Sequence, residues 1–134
     1  MKPSVKSEHT NSVWMSINMP ASPTLIEDTA TEVCIIGGGI AGLTTAYRLC
    51  QEGKSVVVLE GGTLGSGMTP LTTAHLSHVM DRGMSTIGRL HGEEGARLAV
   101  QSHATAIRWI EETAAKESVS CDFERVDGFL FASS

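Results

Sequence analysis

Residues 32–60 read EVCIIGGGIAGLTTAYRLCQEGKSVVVLE, and their order decides the fold. Val33-Cys34-Ile35-Ile36 is a short continuous apolar run, the pattern of a strand buried on both faces. Gly37-Gly38-Gly39 ends it. From Ile40 to about Gln51 the apolar residues Leu43, Ala46, Tyr47, Leu49 and Cys50 recur at helical spacing, and Gly53 stands where a glycine closes a helix. Val56-Val57-Val58-Leu59 supplies a second β-branched run, closed by Glu60. Strand, tight turn, helix, glycine and strand spell a βαβ unit with a right-handed crossover expected.

The glycines within this unit have separate physical tasks. In Gly37-x-Gly39-x-x-Gly42, the first permits the sharp turn out of the strand. Gly39 has no Cβ, so the main chain there can approach a diphosphate closely. Gly42 allows the helix to pack tightly on the sheet. The amides that open the helix, at Ile40, Ala41 and Gly42, have no intrahelical partners, and the helix dipole stands behind them. Glu60 follows about 20 residues on, where a carboxylate can accept hydrogen bonds from ribose hydroxyls and repel a 2′-phosphate. A glycine-rich turn beside a merely solvated glutamate is the bland alternative. Four features agreeing in order and spacing favour a dinucleotide site, though periodicity alone does not separate NAD from FAD.

On either side of this unit the pattern is looser. Residues from Met1 to about Thr31 are rich in Ser, Thr, Asn and Pro and read as an irregular lead-in, which Trp14 and Met15 could anchor to an apolar groove, an exposed pair without a role being the near-equal alternative. From Gly61 to His78 the chain is loop-like, with Pro70 in the middle. A short helix is expected near Gly83–Leu90 and a longer one from about Glu93 to Lys116. The longer helix would carry Ala96, Ala99, Val100, Ala104, Ile107, Ile110 and Ala114 on one face, with Arg108 and Glu112 paired across one turn. The stretch from Cys121 to Phe131 alternates around Asp127-Gly128, which predicts a β-hairpin or strand pair.

Composition narrows the function. The formal net charge is −5, and no run of basic residues exists to follow a nucleic-acid backbone. No apolar stretch approaches a bilayer span, and the N-terminus lacks the apolar core of a secretory signal. Cys34, Cys50 and Cys121 form no CxxC and read as small buried hydrophobes of a cytoplasmic protein. His75 and His78 make an HxxH, but two neutral donors without a further ligand form an incomplete site, so no metal is expected.

The glycine-turn stretch resembles the opening of FAD-dependent oxidoreductases of the D-amino-acid oxidase-like group. So do Gly65, Gly67 and Thr69 leading into TTAHLSH, then HGEEGARLAVQSHATAIRWIEE, and CDFERVDGFLF. Together they are similar to a subgroup that often appends a C-terminal Rieske iron–sulfur domain, and the likeness runs from about Ser12 to Ser134. It implies a Rossmann-like α/β fold over residues 32–134, incomplete relative to the full family fold. It also implies noncovalent FAD and a loop after the second strand that returns to the cofactor. By position that loop brings Thr72, Thr73, Ala74 and His75 close to the flavin or diphosphate; a helix N-cap is an equal alternative for the two threonines. Met68-Thr69-Pro70-Leu71 departs from the group's pattern, and Pro70 removes an N–H donor there.

The implied enzyme oxidises a C–N bond of a small amine or amino acid, with its electron acceptor undetermined and its catalytic residues beyond this chain. No Cys-x-His plus Cys-x-x-His pair is present, so an iron–sulfur cluster would also lie outside it. A truncated chain that binds an adenine dinucleotide weakly or not at all is the alternative. An NAD-linked dehydrogenase or electron-transfer flavoprotein comes third.

Overall fold

The computed structural model describes residues 11–80 and 83–129. These divide between Ala74 and His75 into two compact units.

The first unit is built on the expected βαβ. Strand β1 (Val33–Ile36) leads through the glycine turn into helix α1 (Ile40–Gln51), and strand β2 (Val56–Leu59) follows. The strands are parallel, with Val33 opposite Val56 and Ile36 opposite Leu59. Their entry is stapled by Glu32, which accepts from the Ser55 amide at 2.8 Å and pairs with Lys54 at 3.0 Å. Helix α1 ends as its sequence predicts. Gly53, with φ of 78°, donates its amide to Cys50 O, and Lys54 donates to Leu49 O, so two terminal carbonyls are satisfied around a left-handed glycine.

Gly42 fixes how closely helix and strand approach. A Cβ built there would stand 2.0 Å from the Gly37 carbonyl oxygen and 3.4 Å from Ile35 Cγ2. The clash is with backbone, so no rotamer change relieves it. Two expectations need correction. β1 is covered on one face only: Cys34 is exposed and Ile36 is 88% exposed, because two strands and one helix supply a single covering layer. The cysteines expected inside are all free and all exposed, Cys50 and Cys121 included.

The lead-in belongs to this unit. Its described residues, from 11 on, are irregular apart from a 3-10 turn at Val13–Ser16. Of the foreseen anchor pair both are exposed, and Trp14 makes a polar tie, its Nε1–H donating to the carbonyl of Thr72, just after a second 3-10 turn at Thr69–Leu71.

The second unit is mainly helix α2 (Met84–Lys116), broken at Gly92, whose φ of 74° and ψ of 170° are non-helical. The two expected helices are therefore present, separated by one left-handed glycine. Ala96 is buried, and Ala99, Val100, Ala104, Ile107 and Ala114 are half-buried along the predicted face, with Ile110 at its exposed margin. The expected 108–112 ion pair is replaced: Glu111, one position earlier, receives the Arg125 guanidinium from the segment that follows the helix.

The predicted hairpin at 121–131 does not form within the described residues, which end at 129. Its tight turn needs positive φ at both central residues. Neither Asp127 nor Gly128 has it, whereas Asp122 does, with φ of 49°. With Arg125 held on Glu111 and no ladder partner among the described residues, 121–129 is irregular.

Substituting Gly42→Ala should lower stability by roughly 1–3 kcal/mol, the range for forcing atoms into a packed site. Gly67→Ala, where a Cβ meets nothing within 4 Å, should stay within about 0.5 kcal/mol of the parent. Denaturant unfolding of the two variants decides; equal stabilities would contradict the packing described for Gly42.

Candidate functional site

The glycine turn joins the end of β1 to the start of α1, and three of its contacts define its shape. Gly37 takes φ of 106° while its amide continues the parallel ladder to Leu59 O at 2.7 Å. Gly38 is buried; a Cβ there would come within 2.5 Å of Leu64 Cδ2 and 3.2 Å of Glu60 Cβ. Gly39 caps the helix with extended backbone, and an added Cβ would meet only Thr69 Oγ1, at 3.4 Å. The turn is thus packed from inside at Gly38 and Gly42, and at Gly39 it is open apart from the Thr69 hydroxyl.

Glu60 is brought directly to this turn. Its Oε2 accepts the Gly38 amide at 2.7 Å and its Oε1 accepts the Gly62 amide at 2.9 Å. The carboxyl is held below its ordinary value, first by the Gly38 amide, then by that of Gly62, with a smaller push from Gly61; partial desolvation works against them. A carboxylate offers about four lone-pair sites, so each oxygen keeps capacity to accept a sugar hydroxyl.

The loop after β2 also reaches the turn, through a residue that sequence reasoning passed over. Thr69 Oγ1 accepts the Ile40 amide at 3.1 Å, and Gly65 donates its amide to Gly38 O at 2.8 Å. Helix geometry leaves the next amides, at Ala41 and Gly42, without intrahelical partners. Thr72 and Thr73 open no helix, which sets aside the N-cap alternative. Instead the Thr72 hydroxyl accepts the Ala74 amide at 3.1 Å, a local turn that holds Ala74 at φ of 58°. Thr73 and His75 are exposed, and His75 belongs to the second unit. Gly38 and Thr69 are the two residues missed. The triple glycine was a visible signal for Gly38; a contact spanning 29 residues, as for Thr69, left none.

The model of the family described as "FAD dependent oxidoreductase" matches residues 32–134. This chain belongs to that family. Among its relatives, a protein whose name marks it as a Rieske 2Fe-2S iron–sulfur protein, YhfW of Bacillus subtilis, is 34% identical over 119 residues, covering 89% of this chain and 23% of its own length. Gamma-glutamylputrescine oxidoreductase of Escherichia coli is 29% identical over 119 residues, covering 87% of this chain and 28% of its own. D-proline dehydrogenase of Pyrobaculum islandicum is 56% identical over 34 residues, which cover 25% of this chain and 9% of its own. The chain thus spans about a quarter of the length of the first two relatives. No solved structure matches it. Among the described residues no helix is long and apolar enough to cross a membrane.

Because the Glu60 carboxyl titrates below its ordinary value, its hold on the turn is complete above the usual carboxylate range. That hold is lost as pH falls through the lowered value. Amide shifts of Gly38 and Gly62 followed by NMR through an acid titration should share one midpoint below 4.5. Separate midpoints, or a common one at or above 4.5, would contradict the bridge.

Proposed function

We propose that this chain is the dinucleotide-gripping part of a flavin-dependent oxidoreductase whose full-length form oxidises a C–N bond of an amine or amino acid. The observation that carries the proposal is the convergence of an open glycine at a helix N-terminus with a carboxylate from the neighbouring strand. Membership of an FAD-dependent family favours FAD over NAD. The names of two relatives, an oxidoreductase of gamma-glutamylputrescine and a dehydrogenase of D-proline, favour the amine or amino-acid class.

Each residue then has a task. Gly37 turns the chain and Gly39 clears the approach. The amides of Ile40, Ala41 and Gly42 face the diphosphate, and Glu60 accepts from the adenosine ribose. Thr72, Thr73 and Ala74 line the route toward the flavin. The cofactor is held noncovalently and, when bound, supplies a ring that accepts hydride; the chain orients it and shields its phosphates. Any iron–sulfur cluster would be held outside this chain, whose sequence has no Cys-x-His plus Cys-x-x-His pair.

A second reading, in which the chain alone binds an adenine dinucleotide weakly or not at all, is favoured by one feature. The uncovered face of β1, with Cys34 and Ile36, lets the sheet that carries the turn breathe.

Calorimetry of the purified chain with FAD and with NAD separates these readings. Saturable FAD binding, lost in Gly39→Val with folding retained, is the expected result; a valine side chain would occupy the phosphate approach. Glu60→Ala should weaken FAD by about tenfold or more, as for loss of a charge-assisted hydrogen bond. Binding of NAD without FAD, or full FAD affinity in Gly39→Val, overturns the proposal.

A further inference from the structure

The lead-in makes two polar contacts with the cofactor-side loop, each across 58 residues of sequence. Trp14 Nε1–H donates to the Thr72 carbonyl at 2.8 Å, and the Ser12 hydroxyl donates to the Pro70 carbonyl. These carbonyls flank Leu71, so the end of the 3-10 turn Thr69–Leu71 is held at two points. Among the described residues two backbone bonds hold that turn from within, Leu71 N to Met68 O at 3.1 Å and a longer one from Thr72 N to Thr69 O at 3.4 Å, and Pro70 has no amide to add a third. Below the indole lies an apolar hollow of about 220 Å³, lined by Ile17, Met19, Gly65 and Ala74 among others. It is smaller than the roughly 300 Å³ at which small-molecule sites begin, so packing rather than ligand binding explains it.

What the turn presents is Thr69. A hydroxyl has one proton to give and two lone pairs to accept with. Thr69 Oγ1 uses a lone pair on the Ile40 amide, the first donor of α1, which leaves its own proton to donate. The residue therefore does not cancel that donor; it carries it outward by one hydrogen bond, beside the open side of Gly39.

We propose that the lead-in is a brace for the dinucleotide site, in which Trp14, helped by Ser12, is a positioning residue that holds Thr69 against the first amide of α1 so that its hydroxyl donates to the diphosphate. This rests on the proposed FAD site. The family match begins only at residue 32, downstream of the brace.

Hydrogen exchange and FAD calorimetry on the whole chain test it independently. Without cofactor, Trp14→Phe, which keeps the ring and loses the N–H, and Ser12→Ala should each speed exchange at Leu71 and Thr72 by about 3- to 10-fold, the loss of one hydrogen bond. Protection in α1 stays unchanged, which shows that the variants fold. With FAD, Thr69→Val should bind about tenfold more weakly, and Thr69→Ser should restore affinity. Trp14→Phe should weaken FAD in the parent and have no further effect in the Thr69→Val background, since the brace acts through that hydroxyl. Unchanged loop exchange, tighter binding in Thr69→Val (the hydroxyl then being a plug that phosphate displaces), or fully additive losses each overturn the brace. Absence of FAD binding in the parent overturns the functional proposal, and exchange at Leu71 and Thr72 then decides the brace alone.

Discussion

The Gly37 carbonyl oxygen occupies the place where any residue but glycine at position 42 would put its Cβ. The first turn of α1 can therefore lie directly against the end of β1; its first amide, at Ile40, is taken by Thr69 Oγ1, and those of Ala41 and Gly42 have no intrahelical partner. Two further contacts depend on that approach. Gly38 is confined by Leu64 and Glu60, and at Gly39 an added Cβ would meet only the Thr69 hydroxyl. A turn packed on one side, with only the Thr69 hydroxyl on the other, holds its backbone donors fixed before any ligand arrives.

Glu60 adds a second constraint of a different kind. It receives amides from the turn before it and the loop after it, Gly38 and Gly62, and so couples the two segments that border the proposed cofactor site. Its negative charge offsets the cost of presenting backbone donors in a half-buried turn, and its remaining lone pairs point the same chemistry toward a sugar. In the proposed function, structural tie and ligand contact are one group. The loop after β2 completes the arrangement through Thr69 and Gly65, which reach Ile40 and Gly38.

Much of this was legible in sequence because it is local. The runs at 33–36 and 56–59, the helical spacing between them, Gly53 as a helix stop and the break between the two later helices all follow from periodicity and from where only glycine is tolerated. What was not legible depends on neighbours. An apolar run shows that both faces of a strand would gain from cover, not that cover is supplied, and Cys34 and Ile36 stand uncovered. Alternation around Asp127-Gly128 shows a stretch able to pair; it names no partner, and Arg125 is drawn instead to Glu111, 14 residues away. Thr72 has the composition of a helix cap but closes a two-residue turn on Ala74, since no helix follows it. The contacts of Thr69 and Trp14 span 29 and 58 residues, distances at which no sequence period operates.

The proposed function requires main-chain amides at the start of α1 to grip a diphosphate. Titrating isotopically labelled chain with ADP, and following every backbone amide by NMR, tests that claim without requiring the flavin ring or a substrate. Saturable shifts concentrated at Gly39, Ile40, Ala41 and Gly42, with smaller ones around Glu60, are the predicted result. Shifts centred elsewhere, with those four amides unmoved at saturation, would contradict it.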